Sequence, residues 1–540
     1  MRGGPRREGA ARAPADIRRA RSEEELAEAV ASEIGRPLDK WSVAAFLESA
    51  GLRDEDAREK FGRRDLFELS ERIYPLALKR ARADLPAPSA ESPAKKVFDF
   101  LRLYFRGLLF AMPMMIQILA IIFLHLSLWA WEIFTRETAA AVALGTIASF
   151  IVTGGFVQAI GRRGRFYVYQ GDYISACRIC YSLLGYGSLL VALLGELWVL
   201  ANLRFKLFPL SQVRMMLPYY FLLSELWLLL SILYMLERRG AVLLAISLPL
   251  LPVYLIMKHT ELGMLCAHSI GLAIADLIAF LWGYVVLKRQ ARRAPEKFKL
   301  SPPVSFRLLL GDLGPYFCYG TLYFLLLFLD RLIAWSARTP EGELIWFRPE
   351  YELGMDWALL VFIFSVAAIE YSTNAFSSSL ISSQKKASGF DLQEYIGSFL
   401  RFFRNQNLMV LGIAALSGAG AAFLLPRLLR FLREPGLAAI FTAPELKFAF
   451  IFGAISYGLL ALGLLSVMFL FSLSRPQPAL RGLLLALALD FCVGAPLSRL
   501  FGYEYGAVGL LCGSLAFAAF AGLSCLRIFR ALDYYYYAAY

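Results

Sequence analysis

The sequence has 540 residues, of which 58% are hydrophobic and only 18% are charged. A soluble protein cannot hide so much apolar surface in its core, so the composition indicates a membrane protein with several spans. The formal net charge of +13 does not indicate nucleic-acid binding, because the basic residues lie in the N-terminal segment and in alternate loops.

The N-terminal segment predicts a small helical domain in front of the membrane part. Residues 1–20 are predicted to be a flexible basic tail, and Ser22 with Glu25 forms a capping box that starts a helix. The stretch "DKWSVAAFLESAG" predicts a second helix that ends at Gly51. Its predicted apolar stripe consists of Trp41, Ala44, Ala45 and Leu47.

A further helix is predicted in "RRDLFELSERIYPLALKRA", so the cytosolic domain covers residues 21–83. The Pro- and Ser-rich residues 84–97 form a linker to the membrane part. The domain is predicted either to dock a partner or to be a folded extension without a binding role.

After residue 98, twelve segments are apolar over the roughly 20 residues that a membrane-spanning helix needs. They lie near 107–131, 138–160, 177–201, 215–236, 240–257, 263–287, 308–334, 354–380, 407–430, 447–472, 478–500 and 505–528. The predicted fold class is therefore an all-α polytopic membrane protein with twelve transmembrane helices.

The twelve predicted spans divide into two halves of six. The first half covers 98–290, a basic loop covers 291–303, and the second half covers 304–540. The first span of each half opens alike, with Pro113 in "RGLLFAMP" and Pro315 in "RLLLGDLGP". Two parallel repeats are a common way to build an alternating-access transporter, with the substrate path at their interface.

The distribution of basic residues predicts the orientation. Arginine and lysine concentrate in the loops on one side, with "KRQARRAPEKFK" as the longest run, although the loop between spans nine and ten is also basic. Basic loops mark the cytoplasmic side. Both termini are thus predicted to be cytoplasmic in a multi-pass protein of the cytoplasmic membrane.

Five acidic residues lie inside the predicted spans, namely Glu225, Asp276, Asp312, Glu370 and Asp490. A charged residue at the bilayer centre costs about 2.5–3.5 kcal/mol on insertion scales. No lysine or arginine is equally central in these spans, so protonation, a bound cation or a hydrated cavity must relieve the cost. Each acid alone could be a hydrogen-bonded packing residue, but the five together favour a polar transport cavity between the halves.

The stretch "FLDRLIAW" places Asp330 and Arg331 side by side near the end of a long apolar run. Asp312 precedes Asp330 by eighteen residues, or about 27 Å along a helix. The pair, with Trp335, is therefore predicted at the outer rim of the membrane. It is either an outer gate or an interfacial anchor at the headgroup level, and the anchor is favoured for Arg331.

Cofactor and catalytic motifs do not emerge from the sequence. Cys177 and Cys180 form a CxxC, but they open an apolar helix without a second cysteine or histidine pair nearby, and the three histidines are scattered. A membrane-embedded enzyme would need catalytic aspartates or histidines in loops at the membrane face, and no convincing set is present. The sequence predicts neither an enzyme nor a metal or cofactor site.

Residues 325–371 carry a sequence resemblance. "LDRLIAW" is followed by "YELGMDWALLVF", which contains Tyr351, Glu352 and Met355, and then by "AAIE", which ends at Glu370. This order resembles the Pel exopolysaccharide transporter family, a branch of the multidrug/oligosaccharidyl-lipid/polysaccharide flippase superfamily. Asp356 and the helical N-terminal domain depart from the pattern of that family.

The resemblance implies a carrier that moves a sugar polymer or a lipid-linked sugar across the membrane, in contact with lipid and beside a cytosolic glycosyltransferase or other export subunits. Because the central charges are acidic, a neutral or partly cationic glycan suits the cavity better than a lipid diphosphate. A cation-coupled drug or lipid-intermediate exporter of the same superfamily is one alternative. A non-transporting scaffold for a polysaccharide synthase is another.

Overall fold

The computed structural model describes residues 20, 22–34, 37, 39–83, 93–130, 134–294, 306–341, 343–386, 392–432 and 442–532. Almost all of the predicted tail and most of the predicted linker and inter-half loop lie outside these residues. Within the described ranges the secondary structure is helical and contains no β-strand, so the predicted all-α class is confirmed.

Four helices form the N-terminal domain, namely α1 (Glu23–Ile34), α2 (Lys40–Ser49), α3 (Asp54–Phe61) and α4 (Leu66–Ala83). The Glu25 amide donates a hydrogen bond to Ser22 Oγ at 3.2 Å, which confirms the predicted cap of α1. Gly51 has φ of +88°, the left-handed conformation that ends α2 as predicted. Leu26, Leu47 and Leu69 are fully buried in the shared core of these helices.

The buried face of α2 differs from the predicted stripe. Trp41 and Ala45 are exposed, whereas Val43, Ala44 and Leu47 are buried. At 100° per residue, positions 41 and 45 lie about 160–200° from Val43, so they point away from the core. Trp41 instead packs on the exposed ring of Phe67 in α4, with 5.4 Å between the ring centroids.

We expect residues 21–83 to fold as an isolated fragment, because one apolar core joins α1–α4. Circular dichroism should show helix and a cooperative melt. Replacing Leu69, which is fully buried, with Asp should abolish the melt, since an unpaired charge would then be buried. The matched variant Phe67→Asp alters a side chain that is 55% exposed and should still melt cooperatively. An unaltered fragment without a cooperative melt would refute the assignment of a domain.

The first half of the membrane part begins with α5 (Pro93–Leu124), which bends by 61° between Phe100–Leu109 and Met112–Ile121. Pro113 lies at this bend and lacks the N–H that would bond to the carbonyl of residue 109. The helices that follow are α6 (Arg136–Ala159), α7 (Arg165–Tyr169), α8 (Tyr173–Phe205), α9 (Leu210–Met235), α10 (Arg239–Ser247), α11 (Leu250–His259) and α12 (Gly263–Arg292).

Two spans of this half are interrupted. A π-helical turn over Ile160–Gly164 joins α6 to α7 and carries Arg162 and Arg163. Pro249 separates α10 from α11, which together form one apolar segment of 21 residues. Breaks of both kinds shift the side chains that follow to a different face of the helix.

The second half contains α13 (Phe306–Trp335), α14 (Pro349–Lys386), α15 (Leu392–Leu432), α16 (Pro444–Ser472), α17 (Pro476–Leu500) and α18 (Gly506–Phe529). Over the described residues of both halves, 11 helical segments are long and apolar enough to cross a membrane, or 12 if the bent α5 is one span. This count confirms the predicted twelve-helix fold class.

The chain divides into two compact units. One unit holds residues 1–100, 372–405 and 528–535. Its helix ends form an aromatic cluster in which Phe376 stacks on Phe529 with 5.5 Å between the centroids and packs edge-on against Phe399. The other unit holds the remaining parts of both halves, including every residue of the site described below.

The two halves are in close backbone contact where α6 crosses α13. A Cβ atom added to Gly154 would lie 2.6 Å from the carbonyl oxygen of Gly320, and one added to Gly320 would lie 2.3 Å from the Gly154 oxygen. The two backbones are therefore in direct contact, which only glycine allows at both positions.

Candidate functional site

The main cluster of buried charge lies where α13 ends and α14 begins. Asp330 is in the last two turns of α13 and is fully buried, and its Oδ2 accepts a hydrogen bond from the Tyr351 hydroxyl at 2.7 Å. The link between the helices folds back over this end, since the Trp346 amide donates to the Trp335 carbonyl at 2.8 Å. The antiparallel pairing of α13 and α14 thus brings residues 330 and 351 together.

Arg331 does not pair with its neighbour Asp330. Its guanidinium group bonds to the Glu352 carboxylate and to Asp356 Oδ1, the latter at 2.9 Å. The Arg331 side chain is only 7% exposed. Adjacent helical residues point about 100° apart, so Arg331 reaches the acids of α14 while Asp330 faces Tyr351.

Asp490 of α17 also belongs to this cluster and lies near Asp330. It is fully buried, and neither carboxyl oxygen has a hydrogen-bond partner among the described residues. Asp490 lies close enough to Asp330 for the two carboxylates to repel each other. A Cβ atom on Gly513 would lie 3.1 Å from the Asp490 Cβ, so a glycine of α18 lets that helix pack tightly against the aspartate.

We call Asp330, Arg331, Tyr351, Glu352, Asp356 and Asp490 the buried acidic cluster. It contains one arginine and four carboxyl groups, of which Asp330, Glu352 and Asp490 are buried and Asp356 is 58% exposed at the edge of the cluster. One oxygen of Asp330, one of Glu352 and both of Asp490 are buried without a partner in the described part of the chain. Because buried carboxylates need compensation, the cluster is suited to taking up protons or a cation.

Three tyrosines that the sequence analysis did not select extend this polar interior. The hydroxyl groups of Tyr319, Tyr323 and Tyr457 are buried, and those of Tyr319 and Tyr323 have no hydrogen-bond partner among the residues described. Tyr457 interacts electrostatically with Arg331 and Asp330. Tyr319 and Tyr323 stack at 5.7 Å, one helical turn apart on α13. Their spacing of four residues is the signal that could have placed them on one face.

A second, smaller acidic pair lies in the first half. Glu225 of α9 accepts a hydrogen bond from Ser188 Oγ at 2.9 Å. Asp276 of α12 is near enough to Glu225 for their charges to repel, and its Oδ1 is buried without a partner in the described residues. The structure therefore brings the two acids together although 51 residues separate them in the sequence.

The other two cavity candidates have cationic partners from the first half. Asp312 Oδ2 bonds to Arg163 at 3.2 Å, and its side chain is 58% exposed. Glu370 bonds to Arg239 at the start of α10. These two carboxylates pair with distant arginines, which sequence spacing alone cannot predict. The single cavity lined by all five acids stays a prediction.

The predicted anchor role of Arg331 and Trp335 is wrong. An interfacial anchor exposes its side chain to lipid headgroups, whereas Trp335 is fully buried and Arg331 nearly so. The Trp335 ring packs on Phe347, with 5.3 Å between the centroids, under the link that follows α13. The alternative of an outer gate stays a prediction.

Among the motif residues, Met355 has a packing contact. Met355 is fully buried, and its Sδ lies 2.7 Å from the position that a Cβ on Gly453 of α16 would take. Gly453 thus forms the notch that receives Met355. Tyr351 and Glu352, by contrast, belong to the buried acidic cluster through their polar atoms.

Comparison with known proteins relates the fold to one group of solved structures. No family model and no curated protein sequence matches the chain. A mutant of the Vibrio cholerae MATE transporter VcmN superposes with a TM-score of 0.55 at 15% identity, covering 81% of this chain and 97% of that one. A MATE structure in complex with MaD5 gives 0.56 at 12% identity, covering 80% and 96%.

A third structure is described as the outward-facing conformation of a multidrug resistance MATE family transporter of the MOP superfamily. Its TM-score is 0.51 at 15% identity, and the match covers 80% of this chain and 96% of that one. These matches run over nearly the whole length of the solved proteins. The membrane part of this chain therefore has the MATE fold.

Proposed function

We propose that this chain is a membrane transporter that exports or flips a polysaccharide or a lipid-linked glycan across the cytoplasmic membrane by alternating access of its two halves. The observation that carries this proposal is the buried acidic cluster inside a MATE-like fold. Buried carboxyl groups without compensating partners are costly, and in membrane proteins such groups mark substrate or ion pathways.

The glycan substrate is supported by the resemblance over residues 325–371. Five residues of the buried acidic cluster, from Asp330 to Asp356, come from this stretch, and four of them belong to the family motif. An acidic interior favours a neutral or partly cationic glycan over an anionic lipid diphosphate. Membrane lipid and a cytosolic glycosyltransferase are the proposed partners, with both termini in the cytoplasm.

A cation-coupled exporter of drugs is the second candidate. One of the superposed structures is described as a multidrug resistance transporter, and an acidic interior also suits organic cations. The two candidates share the alternating movement of the halves and differ only in the substrate.

Contacts between the halves at one end of the helices support such a movement. Arg162, from the π-helical turn, donates to the Phe471 carbonyl oxygen at 3.0 Å and to Ser474 Oγ at 2.8 Å. Arg163 bonds to Asp312 nearby. These polar contacts join first-half arginines to second-half acceptors, and alternating access requires that they break and re-form.

We expect a cross-link between positions 163 and 312 to stop transport. In a background without native cysteines, Arg163→Cys and Asp312→Cys should be joined by a bismaleimide with a reducible spacer. Polymer export from cells and efflux of a cationic dye from vesicles are both measured. Cross-linking should lower one of the two by about tenfold or more, with recovery after reduction, because the halves can no longer separate at this end.

The matched control is the pair Arg338→Cys and Arg499→Cys, two neighbouring positions that both belong to the second half. Cross-linking this pair should leave transport unchanged. If cross-linking the 163–312 pair stops polymer export, the result supports a glycan substrate. If it stops only dye efflux, the result supports the drug exporter. Full activity of the cross-linked 163–312 protein in both assays would refute alternating access of these halves.

A further inference from the structure

Four aromatic rings meet at the interface between the halves. The ring of Phe150 in α6 stacks on Trp227 of α9 with 4.4 Å between the centroids. On the side of the second half, it stacks on Phe324 at 5.1 Å and on Phe328 at 5.7 Å, both in α13. We call these four residues the aromatic stack.

The geometry of the helices explains why rings fill this place. Phe150 lies one turn before Gly154 in α6, and Phe324 and Phe328 lie one and two turns after Gly320 in α13. At the two glycines the backbones touch. The Phe324 ring packs on Gly154, since its Cδ2 lies 2.6 Å from the position that a Cβ on Gly154 would take, so the aromatic stack continues the contact between the halves from this crossing.

The rings of the stack are only partly buried, although all four lie well inside their helices. The indole N–H of Trp227 donates to Ser149 Oγ at 3.1 Å, which fixes the orientation of that ring. A contact made of side chains from both halves opens when the halves part, and the ring faces are then free to contact a ligand.

A charged group contacts one end of the stack. The Arg331 guanidinium carbon is 5.6 Å from the Phe328 centroid, so the buried acidic cluster adjoins one end of the stack. Glu225 precedes Trp227 by two residues in α9, so its side chain lies about 200° around the helix and bonds to Ser188 of α8 on the opposite face.

We propose that the aromatic stack is the substrate-recognition subsite between the halves, and that it binds ligands that present electropositive faces. Ring faces carry negative potential, and they attract polarised C–H groups of a sugar ring or an alkylammonium group. The carboxylates of the adjoining buried acidic cluster accept hydrogen bonds from hydroxyl or ammonium groups of the same ligand. This inference rests on the transporter function proposed above and names the residues that contact its substrate.

Equilibrium binding to the full chain in lipid nanodiscs tests the subsite without requiring transport. The probes are a hexamer of N-acetylglucosamine, a hexamer of glucosamine and tetraphenylphosphonium. Phe150→Leu and Phe324→Leu each remove one ring and keep an apolar side chain. Both should weaken the binding of the same probe by about tenfold. The matched control is Phe452→Leu in α16, which removes a half-buried ring that stacks on Phe448 at 4.4 Å outside the aromatic stack.

Binding of a sugar hexamer identifies the glycan as the source of the electropositive face, and binding of tetraphenylphosphonium alone identifies an organic cation. Equal affinity in the two stack variants and the control would overturn the proposal, as would an unaltered protein that binds none of the three probes. If the stack variants bind a probe more weakly but the unaltered protein shows no activity in any transport assay, the transporter function is refuted and the binding subsite stands.

Discussion

Replacing Asp490 with Asn is expected to reduce transport by about tenfold or more while leaving the amount of protein in the membrane nearly normal. Asn has almost the same shape as Asp but can neither release a proton nor hold a cation through a negative charge. Since neither carboxyl oxygen of Asp490 has a hydrogen-bond partner among the described residues, the substitution breaks no observed hydrogen bond. The effect should therefore fall on transport and not on folding.

The matched control for this change is Glu196→Gln, which makes the same replacement on an exposed carboxyl group within α8. Transport is measured together with membrane abundance in both variants. The double variant Glu225→Gln, Asp276→Asn tests the first-half pair in the same way and should also lose transport. Normal transport by Asp490→Asn would show that this residue is a packing residue, and the role assigned to the buried acidic cluster would be wrong.

The helices of the membrane part can be predicted from sequence because each span is a long apolar run with few competing interpretations. The mean hydropathy of such a run is high even where the helix is interrupted. The sequence predicts one span near 240–257, and the segment Arg239–His259 consists of α10 and α11 with Pro249 between them. The π-helical turn after α6 is not predictable in this way, since its sequence "IGRRG" carries no periodic signal that separates it from an α-helix.

The candidate site is predictable only in part, because its contacts join residues that are distant in the chain. The free-energy cost of a charge inside a membrane span singles out Asp490, Asp276 and Glu225 in the sequence. In the structure, the Asp490 carboxyl group has no hydrogen-bond partner among the described residues. The same reasoning fails for Asp312 and Glu370, whose arginine partners lie 149 and 131 residues away. An analogy with aromatic belts places Trp335 at the headgroups, whereas the link after α13 covers it.

Arg331→Leu is expected to cause the largest loss of stability of any single change in the buried acidic cluster. The guanidinium group of Arg331 is the shared partner of Glu352 and Asp356, and Glu352 is itself buried. Removing one member of a buried ion pair costs about 3–5 kcal/mol, because the remaining charge is left without compensation. Leucine keeps much of the apolar volume, so the loss should come from the uncompensated carboxylates.

Thermal unfolding of the detergent-solubilised protein measures this effect, with the exposed Arg238→Leu as the matched control. Arg331→Lys should be intermediate, since an ammonium group keeps the charge but lacks the fork that reaches both carboxylates. Adding Glu352→Gln to Arg331→Leu should recover part of the lost stability, because the amide removes one buried charge. If Arg331→Leu melts like Arg238→Leu and the double variant recovers nothing, the carboxylates of the cluster are not charged in the presence of Arg331, and its role is to pack against Phe328.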